Sequence, residues 1–262
     1  MKRQKPQPAH SKTGGFPFKL VLFLLFLVIL LSAGTITLAK SISQSSYFTI
    51  KDIFANEPDQ TQLKYLIGRN IFSVDLKQEA DDLTAEYPAY RAIRIIRVLP
   101  DRIYIEFIRR KPIALLRMYK YMFVDSTGVL FDIPRDQTIT DLPAITGLET
   151  RIFGPKSGRK YNSKELLAAI EIILEGQKFR WFNTYRIERI DVASLESISI
   201  FMRLPKDQQA VQLLEIKMDS REIRNKFRVL VQLLKEVKGD SGKIKYVDLR
   251  FKEPVIKFKD VR

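Results

Sequence analysis

The 262-residue chain carries 45 Lys and Arg against 30 Asp and Glu, a net charge of +15, and 45% of its residues are hydrophobic. It has no cysteine and a single histidine, His10, which removes disulfides, thiolate-bound metals, thiol nucleophiles and any Ser-His-Asp triad. The hydrophobic and charged fractions are those of a folded chain of one or two domains, neither disordered nor polytopic.

The first nineteen residues hold five of the basic side chains, Lys2, Arg3, Lys5, Lys12 and Lys19, and no acid. From Leu20 to Ala39 the chain then runs for twenty residues without a charge. A helix of that length spans about 30 Å, the thickness of a hydrocarbon core. Residues 1–19 are therefore expected to form a cytoplasmic tail and 20–39 a membrane helix, with Leu20 and Ala39 as its limits. The basic flank stays in the cytoplasm and the remainder lies outside. The alternative is a cleaved signal peptide with Ser32-Ala33-Gly34 as its small residues, although such apolar regions ordinarily run only about 7–15 residues. The other basic residues are interleaved with acids, as in Arg186-Ile187-Glu188-Arg189. No nucleic-acid signature accompanies them. Membrane lipid is an expected partner and nucleic acid is not.

Residues 40–46 read as a short polar linker. The segment 47–112 then alternates and punctuates as β-α-α-β-β: a strand at Phe48–Phe54, helices at Gln60–Ile67 and Leu76–Glu86, and strands at Tyr90–Val98 and Arg102–Ile108. Leu99-Pro100-Asp101-Arg102 supplies the turn. Segment 113–262 is strand-rich. Met122–Phe131 reads as a hairpin whose turn is framed by Asp125 and Gly128, and beside that Gly the Asp is structural rather than catalytic. A Pro- and Gly-punctuated connection through Pro134, Pro143, Gly147 and Pro155 leads to a helix from about Asn162, with Glu165 placed for a capping box and Gly176 as its end. Strands are expected at Tyr185–Val192, Ile198–Leu204 and Val211–Met218. A second helix starts at Asp219 or Ser220, carries Ile223, Phe227, Leu230, Leu234 and Val237 on one stripe, and stops at Gly239. Strands at Ile244–Phe251 and Val255–Phe258 close the chain. The fold class is α+β.

Chemistry-bearing patterns are scarce. Asp81 and Asp82 point to different sides of a helix, and Glu57 and Asp59 lie in a Pro-containing loop, so neither pair forms a facing acid/base dyad. Gly154-Pro155-Lys156-Ser157-Gly158-Arg159-Lys160 has the wrong spacing for a phosphate loop and reads as a basic surface loop. No catalytic residue, metal site or cofactor is expected.

Several runs resemble the FtsQ/DivIB family of cell-division proteins. They are Ile67-Gly68-Arg69-Asn70-Ile71-Phe72-Ser73-Val74-Asp75-Leu76, Tyr87–Ile105, Arg110-Lys111-Pro112-Ile113-Ala114, Phe123–Leu130, Leu142-Pro143-Ala144-Ile145-Thr146-Gly147, and Tyr246-Val247-Asp248-Leu249-Arg250-Phe251. Their order over most of the chain carries the resemblance. It implies a POTRA domain at 47–112 and an FtsQ-type β domain at 113–262, and the function of a non-enzymatic scaffold at the division septum. The implied partners are FtsB/DivIC-like and FtsL-like division proteins and, indirectly, the FtsW–FtsI septal synthase. The competing reading is a POTRA-bearing envelope chaperone, which ordinarily carries several POTRA units and a barrel. The final strand has no successor in the chain, and the resemblance puts the family's partner strand there, making Phe251, Val255, Ile256 and Phe258 candidate contacts. The other possibility is that these apolar residues only cap the sheet.

Overall fold

The computed structural model describes residues 18–57, 61–133, 141–179, 185–204, 212–237 and 241–259. The basic leader up to Pro17, Asp59, Pro134, Val211 and the expected helix stop at Gly239 lie outside the described residues.

The chain opens with α1, Phe18–Ser43. Its apolar side chains are open on every side, and the most apolar eighteen-residue window within Phe18–Ile42 has a mean hydropathy of 2.7. Among the described residues the helix packs against nothing, as one that crosses a lipid bilayer would. It outruns the uncharged Leu20–Ala39 run at both ends, by Phe18 and Lys19 before it and by Lys40 to Ser43, about one turn, after it.

By packing, the folded part divides into two compact units, Met1–Leu76 with Ile95–Ile105, and Lys77–Arg94 with Glu106–Arg262. A small sheet has the strand order β1 (Asp52–Ala55), β3 (Arg102–Arg109), β2 (Tyr90–Val98). β1 runs parallel to β3, with Ile53 opposite Ile103 and Ala55 opposite Ile105. The expected Phe48–Phe54 strand is shorter than its alternation suggests. Ser46–Phe48 forms a turn of 3-10 helix under the Ser45 side chain, and Thr49 bridges to Asn70 instead. The expected helix at Gln60–Ile67 is likewise a 3-10 segment, Thr61–Leu66. The apolar residues it brings inside, Leu63 and Leu66, pack into the first unit's core with Ile50, Ile71 and Ile103. Arg97 holds the following loop by donating from Nε to Ile71 O and from Nη2 to Val74 O. α2, Leu76–Glu86, falls at the expected residues and exposes both Asp81 and Asp82.

The second unit is built on a nine-stranded mixed sheet. Its strands are β4 (Ala114–Arg117), β5 (Tyr121–Val124), β6 (Leu130–Phe131), β7 (Ala144–Thr146), β8 (Arg186–Asp191), β9 (Ile198–Arg203), β10 (Leu213–Met218), β11 (Ile244–Asp248) and β12 (Val255–Phe258). Across the sheet they lie in the order β12-β11-β10-β9-β8-β7-β4-β5-β6. β9 and β10 alternate buried and half-buried residues along their length, so one face is core. Two helices cover that face, α3 (Lys164–Gln177) and α4 (Ile223–Glu236). Their stripes, with Leu166, Ile170 and Ile173 from α3 and Phe227, Leu230 and Leu234 from α4, enter the same core as Ile200, Met202, Leu214, Ile216 and Val247. Stacking of Phe179 on Phe227 joins the helices, with ring centres 6.4 Å apart.

Two helix starts differ from the sequence expectation. The N-cap of α3 is Ser163, whose hydroxyl accepts from Leu166 N at 3.3 Å. Glu165 therefore sits one position early for a capping box and pairs with Arg151 at 3.0 Å. α4 begins at Ile223 rather than at Asp219 or Ser220. The Asp219 carboxylate binds Arg221 N and the Lys226 ammonium instead, and Glu222 takes a left-handed φ of 53° before the helix starts.

Candidate functional site

The terminal strand is the last member of the large sheet. β12 runs antiparallel to β11, with Val255 opposite Asp248, Ile256 opposite Val247, Lys257 opposite Tyr246 and Phe258 opposite Ile244. A bulge between Ile244 and Tyr246 shifts the register, which adds twist at the edge. Among the described residues no strand lies beyond β12. An edge of this kind presents main-chain N–H and C=O groups with no partner strand.

The four candidate contacts divide. Ile256 is half-buried and packs against the core beneath Val247, so it anchors the strand to its own sheet. Phe251, Val255 and Phe258 are open, at 61%, 46% and 50% exposure. Leu20 is the third residue of α1 and Ala39 the fifth from its end, so the helix outruns the expected limits on both sides, to Phe18 and Ser43.

What sequence reasoning missed is the clamp that aims β12. The Asp248 carboxylate is buried and receives Arg250 Nη2 at 2.6 Å and Arg250 Nε at 3.0 Å. The same guanidinium donates to Ser197 Oγ at 3.1 Å and lies 5.8 Å from the Phe251 ring centre. Hydrogen bonds from Arg250 outweigh burial and hold the Asp248 carboxyl below the usual carboxylate range. Leu249 N donates to Lys217 O at 2.7 Å, extending the β10–β11 pairing into the turn. Alternation alone puts Asp248 and Arg250 on one face, but no sequence pattern says that they bind each other. On the open face Lys217 lies 4.8 Å from the Tyr246 ring and Arg189 lies 4.1 Å from Phe201. Glu215 and Glu188 share this surface, paired with Lys217 and Arg203, so it is polar and mixed in charge, with aromatic rings set in it.

Lys257 is exposed opposite Tyr246, as a protective edge charge would be. Lys259 is not free in the same way: its N donates to Lys243 O and its ammonium to Gly242 O. The far edge, β6, is closed. Leu130 N donates to Arg159 O at 3.0 Å, Gly158 N to Leu130 O at 2.7 Å and Tyr161 N to Gly128 O at 2.9 Å. The Gly154–Lys160 stretch is largely exposed, as expected of a basic surface loop, and its end also straps the β6 edge.

Asp125 is wholly engaged in structure. Its Oδ1 accepts from Thr127 N, Thr127 Oγ1 and Val129 N, and its Oδ2 from Arg110 Nη1 at 2.7 Å. Burial alone would push its pKa up; these bonds outweigh it and bring it down. Arg110 also donates from Nε to Pro88 O at 3.0 Å. Glu175 is used similarly, pairing with Lys178 and Arg224. Among the described residues no cluster of three or more His, Asp or Glu is placed to hold a metal.

An apolar helix long enough to cross a membrane, followed by a strand-rich mixed sheet with helices, has the build of a single-pass membrane protein of the α+β class. The match to known proteins makes this particular. Residues 114–250, more than half of the chain, match the family model described as cell division protein FtsQ/DivIB, C-terminal. The protein belongs to the FtsQ/DivIB family of cell division proteins. Similar curated proteins agree. Cell division protein FtsQ of Koribacter versatilis is 26% identical over 193 residues, covering 72% of this chain and 52% of that protein. Cell division protein FtsQ of Geotalea daltonii is 22% identical over 190 residues, covering 72% of this chain and 65% of that one. The match therefore spans from about half to just under two thirds of these relatives' lengths.

Proposed function

We infer that the chain is a non-enzymatic scaffold of the division machinery, with its N-terminus in the cytoplasm and modules 47–112 and 113–262 outside, at the septum. The β12 edge takes up an extended segment of an FtsB/DivIC-like partner as an added strand. An FtsL-like protein joins the same assembly, and through both the scaffold acts on the FtsW–FtsI septal synthase. One observation carries this reading: Val255 and Phe258 stand half exposed on a strand that no described strand covers, while Ile256 holds it to the core. Strand addition gains main-chain hydrogen bonds, and the exposed apolar side chains supply specificity. Lys257, exposed on the edge strand itself, favours an acidic partner segment.

The test compares Phe258→Glu and a chain ended before Val255 with the parent in pull-down of the FtsB/DivIC-like protein. Circular dichroism checks that each variant is folded. Capture is expected to fall at least ten-fold in both. Parental capture by both folded variants would mean that the interface lies elsewhere.

A further inference from the structure

Immediately after α1 the first unit presents a group of three aromatic rings. Tyr47 meets Phe48 edge to face at 5.3 Å, and Phe48 meets Phe72 at 5.1 Å. Phe48 is half-buried, but Tyr47 is 64% and Phe72 42% exposed. The rings are held in place by the backbone around them. Ser45 Oγ accepts from Tyr47 N at 3.2 Å, and Ile71 N donates to Phe48 O at 2.8 Å. Asn70 joins the two segments: its Nδ2 donates to Ser45 O at 3.3 Å and its Oδ1 accepts from Phe72 N at 2.9 Å. The chain leaving the membrane helix is thus fastened to the loop that carries Phe72. Tyr47 and Phe72 thus stay open to solvent while Ile50, Ile71 and Ile103 are buried in the unit's own core.

We propose that the Tyr47–Phe48–Phe72 cluster is a lipid-contact site, seated in the headgroup layer of the leaflet on the folded side of the membrane. It fixes the first unit on the bilayer surface instead of leaving it on a free tether. Reach supports this, since Ser43 and Tyr47 are four residues apart and separated by at most about 14 Å of chain. Length supports it as well. The 26-residue helix is about 39 Å long, so its last turn, with Lys40, already lies among the headgroups of a bilayer whose hydrocarbon is about 30 Å thick. The chemistry fits too, because amphipathic aromatic rings concentrate at that level.

The test uses the full chain in lipid nanodiscs, with Trp181→Phe removing the natural tryptophan. Into that background go Tyr47→Trp, Phe72→Trp or, as a membrane standard, Leu30→Trp in α1. Emission is compared in lipids brominated at acyl carbons 6 and 7, at carbons 11 and 12, or not at all. The indoles at positions 47 and 72 are expected to lose at least half of their emission to the shallow bromines and less to the deep ones. The indole at position 30 should be quenched at least as strongly by the deep set. Unquenched indoles at 47 and 72 beside a quenched one at 30 overturn the proposal. Deep quenching at 47 overturns it as well, because the residue would then belong to the span. Both substitutions sit at exposed positions, and each is read independently with circular dichroism as the check on folding.

Discussion

The two ends of the nine-stranded sheet differ in how their backbone is satisfied. At one end β6 is two residues long, fully buried, and strapped by the 158–161 segment through Arg159 O and Gly158 N. At the other end β12 is twice as long and mostly exposed, and among the described residues nothing pairs with its outer side. Each edge strand lies next to a turn held by an Asp–Arg pair, Asp125 with Arg110 and Asp248 with Arg250. The first pair joins residues fifteen apart in sequence and both side chains are nearly buried, at 12% and 8% exposure. The second joins residues two apart and leaves its Arg at 33%. The same chemistry serves two purposes. At β6 it closes the edge into the core, and at β12 it stiffens a turn while leaving the edge available.

The sharpest way to break this comparison is to remove the two carboxylates in turn. Asp125→Ala strands the nearly buried Arg110 charge and is expected to cost about 3–5 kcal/mol. Asp248→Ala leaves a guanidinium that can turn to water and should cost about 1–2 kcal/mol. Urea unfolding of the detergent-solubilised chain, followed by circular dichroism, measures both; equal losses would erase the distinction. The pH dependence has one sign for both groups. Their pKa values lie below the ordinary value in the fold, so their contribution is complete above about pH 5 and is lost as pH falls through the folded pKa, below about 4. Acid sensitivity should therefore shrink in either variant.

An effect between those of the two carboxylates is expected at the strap. Gly128 has a φ of +86°, and a Cβ there would sit 2.8 Å from Tyr161 O, a backbone atom that cannot swing aside. Gly128→Ala should cost about 2–3 kcal/mol from the strained φ and the displaced strap, read as a lower urea midpoint. An unchanged midpoint would show that the strap does not depend on that approach. The smallest effect is at the open edge. Phe258→Ser should leave stability within about 0.5 kcal/mol of the parent, as for other exposed positions. A loss of 2 kcal/mol or more would make Phe258 part of the fold's own packing and remove it from the candidate contacts.

Periodicity and punctuation carried much of this structure. Leu76–Glu86, Tyr90–Val98 and Val255–Phe258 fall at the expected residues, and the two helical stripes of the second unit both face the core. What failed locally failed for a physical reason. Ala114–Arg117 and Ala144–Thr146 are only four and three residues long, too short for alternation to register, and they are strands because β5 and β8 lie beside them. Phe48 alternates correctly for a strand but is drawn into an aromatic turn by Ser45 and Asn70. Of the candidate contacts, the sequence marked all four as apolar and terminal but could not separate Ile256 from the others. Which face of a four-residue strand meets a core depends on the strand beside it, here through Val247.

By itself the amino-acid order determined the long apolar helix, the α+β class and the absence of thiol chemistry, because each follows from residue type and spacing along one stretch. Tertiary structure alone decided which edge of the sheet stays open. The basic Gly154–Lys160 stretch and the C-terminal strand are both polar, punctuated surface segments in sequence. Only pairing between residues about thirty apart, Leu130 with Arg159, turns the first into a strap. Main-chain hydrogen bonds are nearly blind to side-chain identity, so no local pattern records which of two edges a distant segment will cover.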